Sequence, residues 1–248
     1  MDLIITTLAE RPELRDPMWQ MLDTWPEFVI NDPVGWANIG RIVAELPEYV
    51  LVATDPDGRV VGRAFSVPFQ MAAEGRGGLP EGGWDQVMLW AFSDLRHGRT
   101  PDTVSAIEIT VATDRQGRGI SGRMLAALRE NVRRLGFGEL VAPVRPSAKS
   151  GEPYVLIEEY AHRTRAADGL PYDPWLRVHV RAGGVVESVA PASMTVSGSL
   201  KQWRKWTGLP FEESGPVEVP GALVPVHCEA ERGYAVYVEP NVWVRHQV

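Results

Sequence analysis

The chain has 248 residues, 44% of them hydrophobic and 23% charged, which is enough apolar material for one large domain or a domain with an extension. A formal net charge of −7 argues against nucleic acid as a partner, because nucleic-acid binders carry a basic face. Cys228 is the only cysteine, no basic-then-apolar leader opens the chain, and no apolar run approaches the ~20 residues of a bilayer span, so a cytoplasmic protein without disulfide or membrane partner is expected.

Residues 3–8 predict a first strand, and Leu14, Met18, Met21, Leu22 and Trp25 predict an amphipathic helix over 12–25. Asp32-Pro33 is a cap-and-proline start for a second helix, ended by Pro47. Residues 49–54 and 60–67 predict an antiparallel hairpin around Asp55-Pro56-Asp57-Gly58. Residues 71–101 form a long insertion with a helical segment over 84–95, read either as a pocket wall or as a surface loop.

Residues 107–135 stand out. Ile107, Ile109 and Val111 alternate with Glu108 and Thr110, which is strand periodicity. Ile120, Met124, Leu128, Val132 and Leu135 then share one helix face. Between them lies a turn with two glycines and a local basic cluster, Arg115 and Arg118. The N–H groups of residues 116–121 fall where a helix begins, so the turn predicts an anion site for a phosphate or pyrophosphate.

Further on, residues 140–144 predict a short strand and 152–165 a helix. Asp173-Pro174 starts another helix that ends at Gly183-Gly184. Residues 185–196 predict a strand region interrupted by Pro191, and 199–206 a short helix. Residues 223–227 and 234–238 predict a hairpin, and 242–245 a last strand. The class is α/β (mixed α+β).

Residues 117–122 spell G-x-G-x-x-G, the dinucleotide fingerprint, but residues 112–116 intervene after the strand, and Glu139 precedes the next strand instead of ending it. The strand, the spacer and the turn QGRGIS before an apolar helix resemble instead the acyl-CoA segment of the Gcn5-related N-acetyltransferases. Gln116, Gly119 and Ser121 occupy that family's pattern, with serine a departure at the last place. The order of elements extends the resemblance over residues 1–190. The stretch from residue 161 to 246 also looks like an acetyltransferase-like module that sometimes accompanies nitrilase-type amidohydrolases, here without a nitrilase portion.

The resemblance implies a mostly antiparallel sheet splayed at the acyl-CoA strand. It implies an acyltransferase core over 1–190, with 191–248 an extension that completes the same domain. It implies transfer from acetyl-CoA to a small-molecule amine, with Gln116, Gly117, Arg118, Gly119, Ile120 and Ser121 holding the pyrophosphate. Ile109, Thr110 and Val111 would pair with the pantetheine arm.

An amine attacks only when neutral, and Glu108 is the candidate base. Pro143 stands where the family often has a second glutamate. Counting back from Gly184 to the family's tyrosine position, which protonates the leaving thiolate, gives His179, with Tyr160 and Tyr172 as alternatives. His97, His162, His227 and His246 show no metal spacing, so no metal is expected. Trp84, Trp90 and Trp175 are read as core, with an aromatic acceptor pocket as the other option. The alternative function is a catalytically silent acyl-CoA-binding sensor or accessory subunit. A homodimer through the terminal strands is left open.

Overall fold

The computed structural model describes residues 2–248. Its first half contains β1 (Ile4–Thr7), α1 (Arg15–Gln20), α2 (Glu27–Ile30), α3 (Pro33–Glu45), β2 (Val50–Thr54), β3 (Val60–Phe69), α4 (Gly83–His97) and β4 (Thr103–Val111). The second half contains α5 (Ile120–Arg134), β5 (Glu139–Val144), α6 (Ile157–Ala161), α7 (Pro174–Arg181), β6 (Val185–Ser199), α8 (Leu200–Thr207), β7 (Gly215–Val217), β8 (Val226–Glu229) and β9 (Tyr234–Gln247). One sheet joins the strands in the order β1-β2-β3-β4-β5-β9-β8-β7, and β6 also pairs with β9. Residues 191–248 thus share the sheet of the residues before them, with β9 lying directly against β5. No described helix is long and apolar enough to cross a membrane.

Two irregularities open this sheet at its centre. β4 and β5 form its parallel pair, and they are in register only at Val104↔Leu140 and Ser105↔Val141. Beyond these pairs each strand continues on its outer ladder alone, β4 against β3 as far as Val111 and β5 against β9 as far as Val144. Pro143 lies in the diverging part of β5 and brings no N–H to any ladder. In β4, Ile107 is the extra residue of a bulge opposite Phe65 and Ser66, which bends the strand as the gap opens. Main-chain groups along residues 106–111 are thereby left facing a cavity.

Apolar residues of β2–β5, α3, α4 and α5 make the main core. A second cluster packs Phe28, Trp203, Phe211 and Tyr237 beneath α2 and α8.

Several elements differ from expectation, each for a local reason. The helix over 12–25 stops at Gln20, because Met21 is extended and residue 25, preceding Pro26, is disfavoured in helix. Its apolar stripe was misleading at Leu22, which is 74% exposed. The helix over 152–165 shrinks to α6, because Leu156 before it is extended and the chain leaves the helix after Ala161. β6 runs through Pro191 by slipping register between Ala190 and Met194. α2 and β7, too short to show periodicity, were not expected.

Candidate active site

The glycine turn is built as an anion cradle. Gly117 and Gly119 have φ of 72° and 74°, a region that side chains rarely enter. Gly119 is the N-cap of α5. No hydrogen bond among the described residues engages the N–H of Gly117, Arg118 or Gly119. Those of Ile120 and Ser121 lie in the first turn, where no intrahelical acceptor exists. Arg118 is exposed beside them. The basic cluster is smaller than expected, because Arg115 turns away and donates to Asp55 at 3.2 Å.

From this turn a cavity of about 850 Å³ follows β4 between the two diverging strands. Gln116, Ser121 and residues 106–111 line one side, and Ala142, Pro143 and Val144 the other. Ile109, Thr110 and Val111 therefore face the cavity, and Thr110 Oγ1 accepts from the indole of Trp25 at 2.9 Å. Where β4 bulges, the indole N–H of Trp84 donates to the Ile107 carbonyl at 2.8 Å. The insertion over 71–101 thus contributes a wall. Trp175 lines the cavity too, whereas Trp90 packs against Phe69 and Arg76 away from it.

Glu108 lies in this wall with one oxygen engaged. Its Oε1 accepts from Arg63 Nε at 2.7 Å, and Arg63 also donates to Asp23 at 2.8 Å. Oε2 has no hydrogen bond to the described residues. Asp23 belongs to the extended segment after α1, which crosses β4 as a roof through Asp23, Trp25 and the Leu22 carbonyl. The expected helix would have carried these residues elsewhere, so the ion pair was invisible in the sequence.

His179 lines the same cavity from α7, a helix capped by Asp173, whose Oδ1 accepts from the N–H groups of Trp175 and Leu176. It is 2% exposed, stands edge-on to Trp175, and meets His246 with Nδ1 2.9 Å from Nε2. His179 does not keep the ordinary pKa of an imidazole near 6.5. Burial, with the neighbouring His246, pushes its pKa down to about 3, so the ring is neutral at physiological pH. Tyr160 is pinned to Asp173 at 3.2 Å and Tyr172 packs on it, and neither lines the cavity.

Past Trp84 the cavity ends on a polar floor. Glu239, 1% exposed, accepts from Arg145, Tyr237 and Asn241. Asp32 and Asp85 lie nearby, each with one buried oxygen lacking a partner. Burial raises Asp32 to about 6, and burial with the charge of Asp32 raises Asp85 to about 8. This floor was missed, although a signal existed: Tyr237, Glu239, Asn241 and Trp243 alternate along one strand, placing polar side chains at inward positions.

No protein-family model matches the sequence. An arginine N-acetyltransferase of Aspergillus versicolor, avaD, is 33% identical over 274 residues, covering 98% of this chain and 93% of that protein. Among solved structures, the loading GNATL domain of CurA from Lyngbya majuscula superposes with a TM-score of 0.61 at 17% identity, over 99% of this chain and 96% of that one. The GphF GNAT-like decarboxylase, solved with isobutyryl-CoA, gives 0.55 at 14% identity, over 100% and 99%. These two establish the fold, which by itself leaves the reaction open. The relative at 33% identity, spanning nearly both chains, decides the family: the chain belongs to the Gcn5-related N-acetyltransferases and is an acyltransferase.

Proposed function

We propose that the protein transfers the acetyl group of acetyl-CoA to an amine of arginine or a closely related small molecule. The observation that carries this reading is the splay of β4 from β5 beside a turn whose N–H groups have no protein partner. The residues fit the cosubstrate. Residues 116–121 would hold its pyrophosphate, and the open edge of Ile109, Thr110 and Val111 its pantetheine amides. When bound, acetyl-CoA supplies an acetyl group activated as a thioester.

The chain's own work is orientation and proton handling. Arg63 holds Glu108 by Oε1, leaving Oε2 to take the proton of the incoming ammonium. His179, neutral, offers a ring nitrogen to the cavity. For the acceptor, the support is the activity named for the avaD relative, the carboxylate of Glu108, and indoles of Trp19, Trp25 and Trp36 suited to a guanidinium.

The test is mass spectrometry of products from acetyl-CoA with arginine, arginine amide, lysine and an arylalkylamine. Acetylated arginine or arginine amide is expected. If no amine is acetylated while calorimetry shows CoA binding, the protein is a silent acyl-CoA binder and the catalytic reading falls.

A further inference from the structure

His179 and His246 meet inside the cavity wall, one from α7 and the other from β9, joined by a single hydrogen bond. Two neutral imidazoles can share that bond in two ways. Either His179 donates from Nδ1 and His246 must carry its own proton on Nδ1, or His246 donates from Nε2 and His179 carries its proton on Nε2. Nδ1 of His246 is enclosed and has no hydrogen-bond partner. The first arrangement therefore buries an N–H with nothing to accept it. The second leaves only an unused lone pair, the smaller penalty.

Both rings are held in place. Trp175 stands edge-on to His179 with centroids 4.6 Å apart. A Cβ at Gly184 would lie 2.6 Å from His246 Cε1 and 2.8 Å from the His179 carbonyl oxygen, so the pair is packed against bare backbone. Neither ring takes a second proton near neutrality. Burial lowers His179 to about 3 and, with the charge of Arg129, His246 to about 4. Nε2 of His179 makes no hydrogen bond to the described residues and is not among the enclosed orphan atoms, and the residue lines the cavity.

We infer that His246 is a positioning residue: by donating its Nε2–H to Nδ1 of His179 it locks His179 as the Nε2–H tautomer and turns a neutral N–H donor into the cavity, toward the anion that forms there. Which anion this is rests on the acetyl-transfer reading, where it is the sulfur of CoA. In that step the acceptor nitrogen, freed of its ammonium proton by Glu108, bonds the acetyl carbon, the sulfur leaves with the C–S electron pair, and the second proton of that nitrogen passes to solvent. His179 keeps its proton and hydrogen-bonds the sulfur anion, because a neutral imidazole is too weak an acid to surrender it. The thiolate is protonated by solvent on release.

The test begins on the free protein, labelled with 15N at histidine, by long-range proton–nitrogen NMR, with the signals assigned through His246→Gln and His246→Phe. Protonated Nε2 and bare Nδ1 on both His179 and His246 are expected, and a proton on Nδ1 of His179 overturns the inference whatever the protein acetylates. In turnover, His246→Phe, which removes the donor, is expected to lower kcat by about tenfold to a hundredfold with the KM of the amine little changed. His246→Gln, whose amide can donate, should recover most of the loss. Equal activity of the two variants, both folded by circular dichroism, also overturns it. If the tautomer is as expected and no amine is acetylated, the positioning role stands and the acetyl-transfer reading fails.

Discussion

Arg63 and Glu108 meet diagonally across the β3–β4 ladder with Nε 2.7 Å from Oε1, their side chains 7% and 13% exposed. Asp23 closes the set from the roof segment, so one guanidinium answers two carboxylates. Arg63→Ala would leave both carboxylates without a cation in a poorly solvated wall. We expect a loss of about 3 kcal/mol in urea unfolding. Adding Glu108→Gln should recover part of that loss, because the two changes remove one interaction. Strictly additive losses would mean that the pair contributes nothing.

Glu108→Gln alone separates binding from chemistry. The amide preserves the shape of the wall and cannot take a proton. Turnover should fall about a hundredfold, the lower range for loss of a general base, while the Kd of CoA stays within a factor of two or so. Unchanged turnover would leave a proximity mechanism, with solvent taking the proton.

The turn and the site residues differ in how far the sequence revealed them. The glycines at 117 and 119 are local chemistry: only a left-handed backbone needs them there, and the helix start follows within one residue. The caps Asp32 and Asp173 were legible for the same reason. What depends on distant pairing was not. The bulge at Ile107, the contact of Arg63 with Glu108 and the meeting of His179 with His246 join residues 45 to 67 positions apart or depend on strand register. The roof was lost because a buried stripe at Leu14, Met18 and Met21 looked helical beyond the point where the chain becomes extended.

The anion cradle predicts opposite effects on stability and binding for a single change. Ser121→Asp puts a carboxylate in the first turn of α5, where the helix dipole favours it by roughly 0.5 kcal/mol. The same charge repels a pyrophosphate at the unpartnered N–H groups. Thermal unfolding should be unchanged or slightly raised, and the Kd of CoA by calorimetry should weaken at least about tenfold, or 1.4 kcal/mol. Tight CoA binding by a folded variant would place the phosphates elsewhere.

Asp85 and the histidine pair give stability an unusual dependence on pH. A carboxyl raised in the fold from 3.8 to about 8 makes the folded state hold a proton that the unfolded chain releases. Its contribution to stability is complete below 3.8 and is lost as pH rises through 8. The histidines act with the other sign: lowered from 6.5 to about 3 and about 4, they contribute fully above 6.5 and less as pH falls toward those values. Asp32, raised to about 6, is mostly ionised by pH 6.5. Between pH 6.5 and 8 Asp85 is thus the member of this group still changing, and the wild type should lose stability as pH rises there. Asp85→Asn keeps the acceptor for the Thr195 N–H, which Asp85 Oδ2 accepts at 3.0 Å, and has no proton to lose. In urea unfolding its stability should be flat from pH 6.5 to 8, with its advantage over the wild type widening across that window. Parallel curves for the two proteins would show that Asp85 is ionised in the fold throughout.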